Sequence, residues 1–180
     1  MNKLTGWKLT VVRVLVILAV IALTVLLFLN RDRVQELEAL GYPGVFLLSL
    51  LSNATLILPV PGVLFTSAMG AVFNPYLVAL AAGSGATIGE LTGYMAGFSG
   101  QGVIENRKWY DKVTLWMQKY GGITTLVLAF VPNPVFDIVG MVAGALRMPL
   151  WKYLTFSWIG KVGKMLLFAL GGAQIYNLFS

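Results

Sequence analysis

Between Gly41 and Ile104 the chain carries one charged residue, Glu90, in a run of apolar and small side chains. A membrane-crossing helix needs only about 20 residues, so a run this long must fold back on itself. Prolines divide it at Pro43, at Pro59 and Pro61, and at Pro75. At about 1.5 Å per residue a helix over 43–58 is about 24 Å long and one over 62–74 about 20 Å. Both fall short of a hydrocarbon core of about 30 Å. The two pieces predict a re-entrant hairpin with "LPVPG" at its tip, followed over 76–98 by a full span of about 34 Å. The order returns later in the chain. Short apolar segments over 122–131 and 135–146 flank "VPNP", and a long one covers 150–172.

The two halves match in detail. "PVPGVLFTSAMGAVFNPY" (59–76) lies over "PNPVFDIVGMVAGALRMPL" (132–150) with one residue inserted in the second copy. Gly70-Ala71 then meets Gly144-Ala145, Pro75 meets Pro149, Gly89 meets Gly163, Gly97 meets Gly171, and Glu90 falls opposite Lys164. The pattern predicts an all-α polytopic membrane protein. An N-terminal transmembrane anchor covers 1–30. A membrane domain over 31–180 is built of repeat 1 (43–98), an interfacial helix (100–120) and repeat 2 (121–172).

Charge sets the expected orientation. Lys3, Lys8 and Arg13 precede the apolar stretch Val14–Leu29. That arrangement also suits a secretory signal, but "LLFLNRDR" offers no small-residue cleavage site, so an uncleaved first helix is expected. Basic residues favour the cytoplasmic side. This puts the N-terminus in the cytoplasm, nearly balanced "RDRVQELEALG" outside, and Arg107, Lys108, Lys112 and Lys119 inside again. The repeats would therefore enter from opposite faces, the inverted plan in which broken helices meet near the midplane and line a site.

Composition narrows the function. Of 180 residues 58% are hydrophobic and 11% charged, against about a quarter charged in soluble domains. Cysteine and histidine are absent, which removes disulfides, thiolate chemistry, Cys/His metal sites and His-based triads. No cofactor or metal is called for, and no nucleophile–base pair points to an enzyme. The net charge of +6 is spread along the chain, as topology signals rather than as a nucleic-acid patch. The short loops and small size suit a bacterial or archaeal cell membrane.

Two features carry candidate chemistry. Proline breaks free backbone carbonyls, which lipid tolerates only where protein or a water-filled cavity covers them. Pro59, Pro61, Pro132, Asn133 and Pro134 would thus wall a central polar spot, although kinks in tightly packed helices are the plainer account. Glu90, Asp137, Lys161 and Lys164 lie within apolar runs. Lys161 sits about 17 Å along the last helix from Pro149, and Lys164, three residues on, shares its face. Ionisable groups at that depth are costly and mark substrate or ion pathways; a structural cluster joining the repeats is the competing account. The lysines suit an anionic headgroup such as phosphate.

Two further stretches favour packing. Gly85, Gly89, Gly93 and Gly97 recur every fourth residue, a stripe for close helix contact. Residues 103–120 place Val103, Tyr110, Val113, Trp116, Met117 and Tyr120 mostly on one face, as in an interfacial helix. Trp109 and Trp151 suit an aromatic belt.

"GELTGYMAG" (89–97), the "KYGG" before the second hairpin and "FVPNPVFDIVGMVAGALRMPLWKYLTFSWIGK" (130–161) resemble the DedA/SNARE-associated Golgi protein family, also called the VTT-domain family, over roughly residues 40–172. The resemblance implies two re-entrant hairpins in an inverted repeat. It also implies kinship with lipid scramblases in eukaryotes and ion-coupled carriers of polyprenyl phosphate in bacteria. Members usually carry an acid after the first Pro-x-Pro-Gly, where Val63 stands here, and arginines around the second proline motif, where none lies between Lys119 and Arg147. Those roles would fall to Glu90, Asp137 and the two lysines. The expected function is movement of an anionic lipid, a polyprenyl phosphate or a phospholipid, between leaflets. Coupling to protons or sodium and homo-oligomer formation are compatible with that plan. A small-ion or metabolite transporter and a non-transporting scaffold are the alternatives.

Overall fold

The computed structural model describes residues 38–54, 62–100, 107–132 and 136–179. Helices α1 (Glu38–Ala54), α2 (Gly62–Val72), α3 (Pro75–Gly89), α4 (Leu91–Phe98), α5 (Arg107–Tyr120), α6 (Gly122–Phe130), α7 (Phe136–Ala145) and α8 (Leu150–Phe179) follow in order, with no strand among the described residues. The expected anchor over 1–30 and the tip residues Pro59, Pro61, Asn133 and Pro134 lie outside them. Pro132 is described, as exposed chain after α6.

Local chemistry explains most boundaries. Asn74 caps α3 by accepting from the N–H groups of Tyr76 at 3.0 Å and Leu77 at 3.4 Å, with Pro75 in the first helical position, where its missing donor costs nothing. Gly121, at φ 56° and ψ −123°, adopts a conformation closed to other residues and turns α5 into α6. Helix α7 ends in a Schellman turn: Met148 N–H donates to Ala143 O and Arg147 N–H to Gly144 O, both at 2.9 Å.

Two expected boundaries differ. Helix α1, described over Glu38–Ala54, carries Pro43 inside it. A proline inside a helix removes one backbone bond and sets its ring against the carbonyl four residues earlier. The expected continuous span over 76–98 is interrupted at Glu90, whose φ of −67° and ψ of −10° turn the chain. Helical hydrogen bonds still bridge the bend, from Glu90 N–H to Ala86 O at 3.2 Å and from Tyr94 N–H to Glu90 O at 3.3 Å. Gly89 and Gly93 flank it, and Thr92 Oγ1 donates back to Gly89 O at 3.1 Å, which is how glycine and hydroxyl side chains bend helices.

Helix α8 is the axis of the assembly. It packs against α2, α3 and α6; α1 packs on α3, α4 on α7, and α5 on α6 and α7. One core gathers Val45, Phe65, Met69, Val72, Val78, Ala82 and Ala86 around Met165 and Ala169 of α8. A second gathers Tyr94, Val113, Met117, Ala129, Phe136, Val139 and Val142 around Tyr153 of α8. Between them, Trp158 Nε1 donates to Ser84 Oγ at 2.9 Å and joins α8 to α3.

Glycines set the spacing between helices. A Cβ at Gly85 or Gly89 would strike the α1 backbone at Phe46 O or Leu50 O, and one at Gly97 would strike Met141 O of α7. Gly70 and Gly172 hold α2 against α8 in the same way, through Ala169 O and Ser67 O. The glycine stripe is therefore a packing surface. On α5, Val113 and Met117 are buried, whereas Trp116 and Tyr120 remain exposed. Large apolar side chains cover the outside, including Leu51, Leu64, Met95, Trp151 and Leu167, an outer surface suited to lipid and not to water. Among the described residues, Leu150–Ile175 of α8 is long and apolar enough to cross a membrane, and α2 and α7 are shorter apolar helices.

Candidate functional site: a buried lysine–glutamate pair

Where the two cores meet, Lys161 Nζ donates to Glu90 Oε1 at 2.8 Å. Lys161 is 1% exposed and Glu90 4%. The bend between α3 and α4 turns Glu90 inward. Close passage of α8 over α3, where a Cβ at Gly83 would meet the Val162 backbone, brings the neighbouring Lys161 within reach. Sequence alignment sets Glu90 opposite Lys164, but the pair forms with Lys161, because helix crossing and not repeat register decides which side chains meet.

Lys161 has further support. Its Nζ donates to Asn53 Oδ1 at 3.0 Å and lies 4.7 Å from the centre of the Phe136 ring, a cation–π distance. Asn53 is held in turn, its Nδ2 donating to Ser49 O at 2.8 Å, so its oxygen faces the lysine. Residues from α1, the α3–α4 bend, α7 and α8 thus converge on one ammonium group.

The other two charges join the same field. Asp137, half-buried in the first turn of α7, interacts electrostatically with Glu90 and Lys161. Lys164, half-buried one turn along α8, interacts with Lys161 and Glu90. All four intramembrane charges predicted from sequence therefore share one region, and Pro132 alone of the predicted tip residues can be placed. Several polar neighbours were not singled out in the sequence. Asn53 could have been noticed as an amide inside "LLSNATL". Tyr153 and Ser157 stand eight and four residues before Lys161, so helical spacing from that lysine points to them.

Buried ions need pairing. An isolated charge in the middle of a membrane costs about 2.5–3.5 kcal/mol on the insertion scale, and desolvation can outweigh the mutual attraction of a pair. A cluster of opposite charges with amide and aromatic support, inside a helical assembly with an apolar exterior, defines a membrane protein with a polar centre.

The chain belongs to the VTT-domain family, whose model matches residues 60–174. It is 31% identical to the inner membrane protein YqaA of Escherichia coli over 128 residues, covering 69% of this chain and 85% of that protein. It is 33% identical over 91 residues to the vacuole membrane protein KMS2 of Arabidopsis thaliana and 34% over 94 residues to KMS1 of the same plant. Those matches cover 48% of this chain but only 21% and 22% of the relatives, so the chain spans about a fifth of their length. No solved structure matches the chain.

Proposed function

We propose that the protein moves an anionic lipid, a polyprenyl phosphate or a phospholipid, between the two leaflets. The observation that carries this is the Glu90–Lys161 pair, buried at the junction of the two cores with Asp137 and Lys164 beside it. An ammonium group with three donors suits a phosphate, and Lys164 supplies a second positive charge. A headgroup arriving at Lys161 takes the position of Glu90, so the lysine exchanges one anionic partner for another and is never left unpaired.

The helix contacts support an inverted repeat around that centre. Helix α1 lies on α3 as α6 lies on α8, and α2 lies on α8 as α7 lies on α4. Each half thus places its second short helix against the long helix of the other half. Glycines serve both contacts: the matched Gly70 and Gly144 on α2 and α7, with Gly172 on α8 and Gly97 on α4. Helices α2 and α7 have 11 and 10 residues. At about 1.5 Å per residue they are about 17 and 15 Å long, half a membrane deep, as re-entrant segments are. Two half-membrane elbows backed by a charged centre would lower the barrier to a headgroup crossing the hydrocarbon.

The test is transbilayer movement of a labelled anionic lipid in liposomes containing the purified chain. Wild type is expected to speed movement over protein-free vesicles, and Lys161→Gln to lose most of that acceleration while remaining folded. Equal rates with and without protein, or a folded Lys161→Gln as fast as wild type, would overturn the proposal. The complete burial of the pair favours one second reading, a scaffold in which the charges only join helices. In that case the exchange Glu90→Lys with Lys161→Glu preserves both folding and cellular phenotype.

A further inference from the structure

We propose that a file of water molecules runs along the face of α8 that carries Tyr153 and Ser157, joining the aqueous surface beside Lys152 to the Glu90–Lys161 pair. The pair would then be in contact with one side of the membrane only.

Three buried hydroxyls point to it. Tyr153, Ser157 and Thr125 are 0% exposed, and their side-chain oxygens have no hydrogen-bond partner among the described residues. An unpaired buried polar group costs about 1–3 kcal/mol, and native proteins satisfy nearly all such groups with protein or ordered water. Three such buried side-chain oxygens among the described residues mark a place where water is the partner.

Their register is a path. Tyr153, Ser157 and Lys161 follow at four-residue intervals, so they share one face of α8 and climb about 6 Å per step. Thr125 belongs to the same level. The α6–α8 contact runs from Gly122 against Phe156 to Phe130 N against Gly160, and Thr125 falls between those ends, beside Ser157. Gly140 of α7 lies close to the Tyr153 hydroxyl, where a Cβ would come within 3.1 Å of that oxygen. The Tyr94 ring stacks on Tyr153 at 5.2 Å, but its own hydroxyl donates to Met148 O at 2.6 Å. Tyr153 interacts electrostatically with Glu90 and Asp137, which places it at the edge of the charged centre. At the outer end a cavity of about 280 Å³ is lined by Gln118, Gly121, Met148, Pro149 and Lys152; Lys152 precedes Tyr153 in α8, and Pro149 stands just before that helix.

The path rests on the carrier reading of the charged centre but is separately testable. The chain has no cysteine, so single cysteines can be placed without background. Ser157→Cys, Lys152→Cys at the cavity and Leu167→Cys on the apolar exterior are reconstituted in one orientation. Each is exposed to silver ion from either side and then denatured and labelled with a maleimide to count thiols left free. Only a hydrated, ionising thiol reacts. Ser157→Cys is expected to be blocked from the side that reaches Lys152→Cys, about tenfold or more faster than Leu167→Cys. Blocking as slow as at Leu167→Cys, or access only from the opposite side, would overturn the proposal. Hydroxyl-radical footprinting of the unmutated protein guards against a variant that misfolds. Tyr153 is expected to be oxidised despite its burial, and oxidation no greater than at buried Val139 would sink the path. A silver-blocked Ser157→Cys in a protein that moves no lipid keeps the water file and removes the carrier; lipid movement with an unreactive Ser157→Cys does the reverse.

Discussion

Lys161 is the residue on which most of the structure's electrostatics turn. It meets a carboxylate at the α3–α4 junction, an amide of α1 and an aromatic ring of α7. Such a group is costly when half of it is removed. Glu90→Gln leaves a buried ammonium without its counter-charge, and the expected loss is about 3–5 kcal/mol, read as a lower Tm in detergent by circular dichroism. Replacing both partners, Glu90→Leu with Lys161→Met, removes the desolvation penalty together with the attraction. That variant is expected to recover stability to wild type or above while losing lipid movement. Failure of the double variant to recover would mean that the charges are indispensable to folding itself. At this scale the sequence announces charges but not partners. Glu90 and Lys161 stand out in an apolar run. That Asn53 turns its oxygen to Lys161, or that Phe136 lies beneath it, depends on where helices cross, and no local pattern encodes that.

Elements are more legible, because their ends are written in proline, glycine and asparagine. The segments expected over 122–131 and 135–146 appear as Gly122–Phe130 and Phe136–Ala145. The bend at Glu90 was not legible, because Gly89 and Gly93 read equally well as a straight packing stripe and the bend depends on α1 and α7 gripping opposite halves of it. Adjacent glycines in α8 show how packing overrules propensity. A Cβ on Gly171 meets nothing within 4 Å, whereas one on Gly172 strikes Ser67 O. Gly171→Ala is therefore expected to stabilise by about 0.5–1 kcal/mol through reduced backbone freedom. Gly172→Ala is expected to destabilise by about 1–3 kcal/mol by overpacking. Chemical unfolding of the two variants side by side checks both signs. Arg147 offers a third element-scale test. It holds the left-handed position of the Schellman turn at φ 52°, where glycine is the usual residue, with its guanidinium 6.0 Å from the Phe98 ring centre. Arg147→Gly is expected to raise stability by about 1 kcal/mol. A drop of that size instead would mean that the contact with Phe98 outweighs the backbone strain.

At the scale of the whole molecule the two halves are interlocked rather than side by side. Helix α2 seats against α8 and α7 against α4, so neither half keeps its own short helices to itself. The ion pair from Glu90 to Lys161, the stacked rings of Tyr94 and Tyr153, and the Trp158–Ser84 bond all cross the same divide. A chain cut between α4 and α5 therefore loses no helix, yet separates every one of those pairs. Alone, the first fragment turns Glu90 and bare glycines toward lipid, and the second does the same with Lys161. Each buried charge left so costs about 2.5–3.5 kcal/mol even with membrane relaxation. The two fragments are accordingly expected to accumulate and co-purify when expressed together from separate genes, and each to be degraded or aggregated when expressed alone. Size-exclusion chromatography in mild detergent after tagging only one fragment provides the measurement. A second fragment that is monodisperse and helical by itself would show that α5 to α8 form a self-sufficient unit. The charged centre would then be a seam between two finished halves, and its pairing would be open to rearrangement without unfolding either of them.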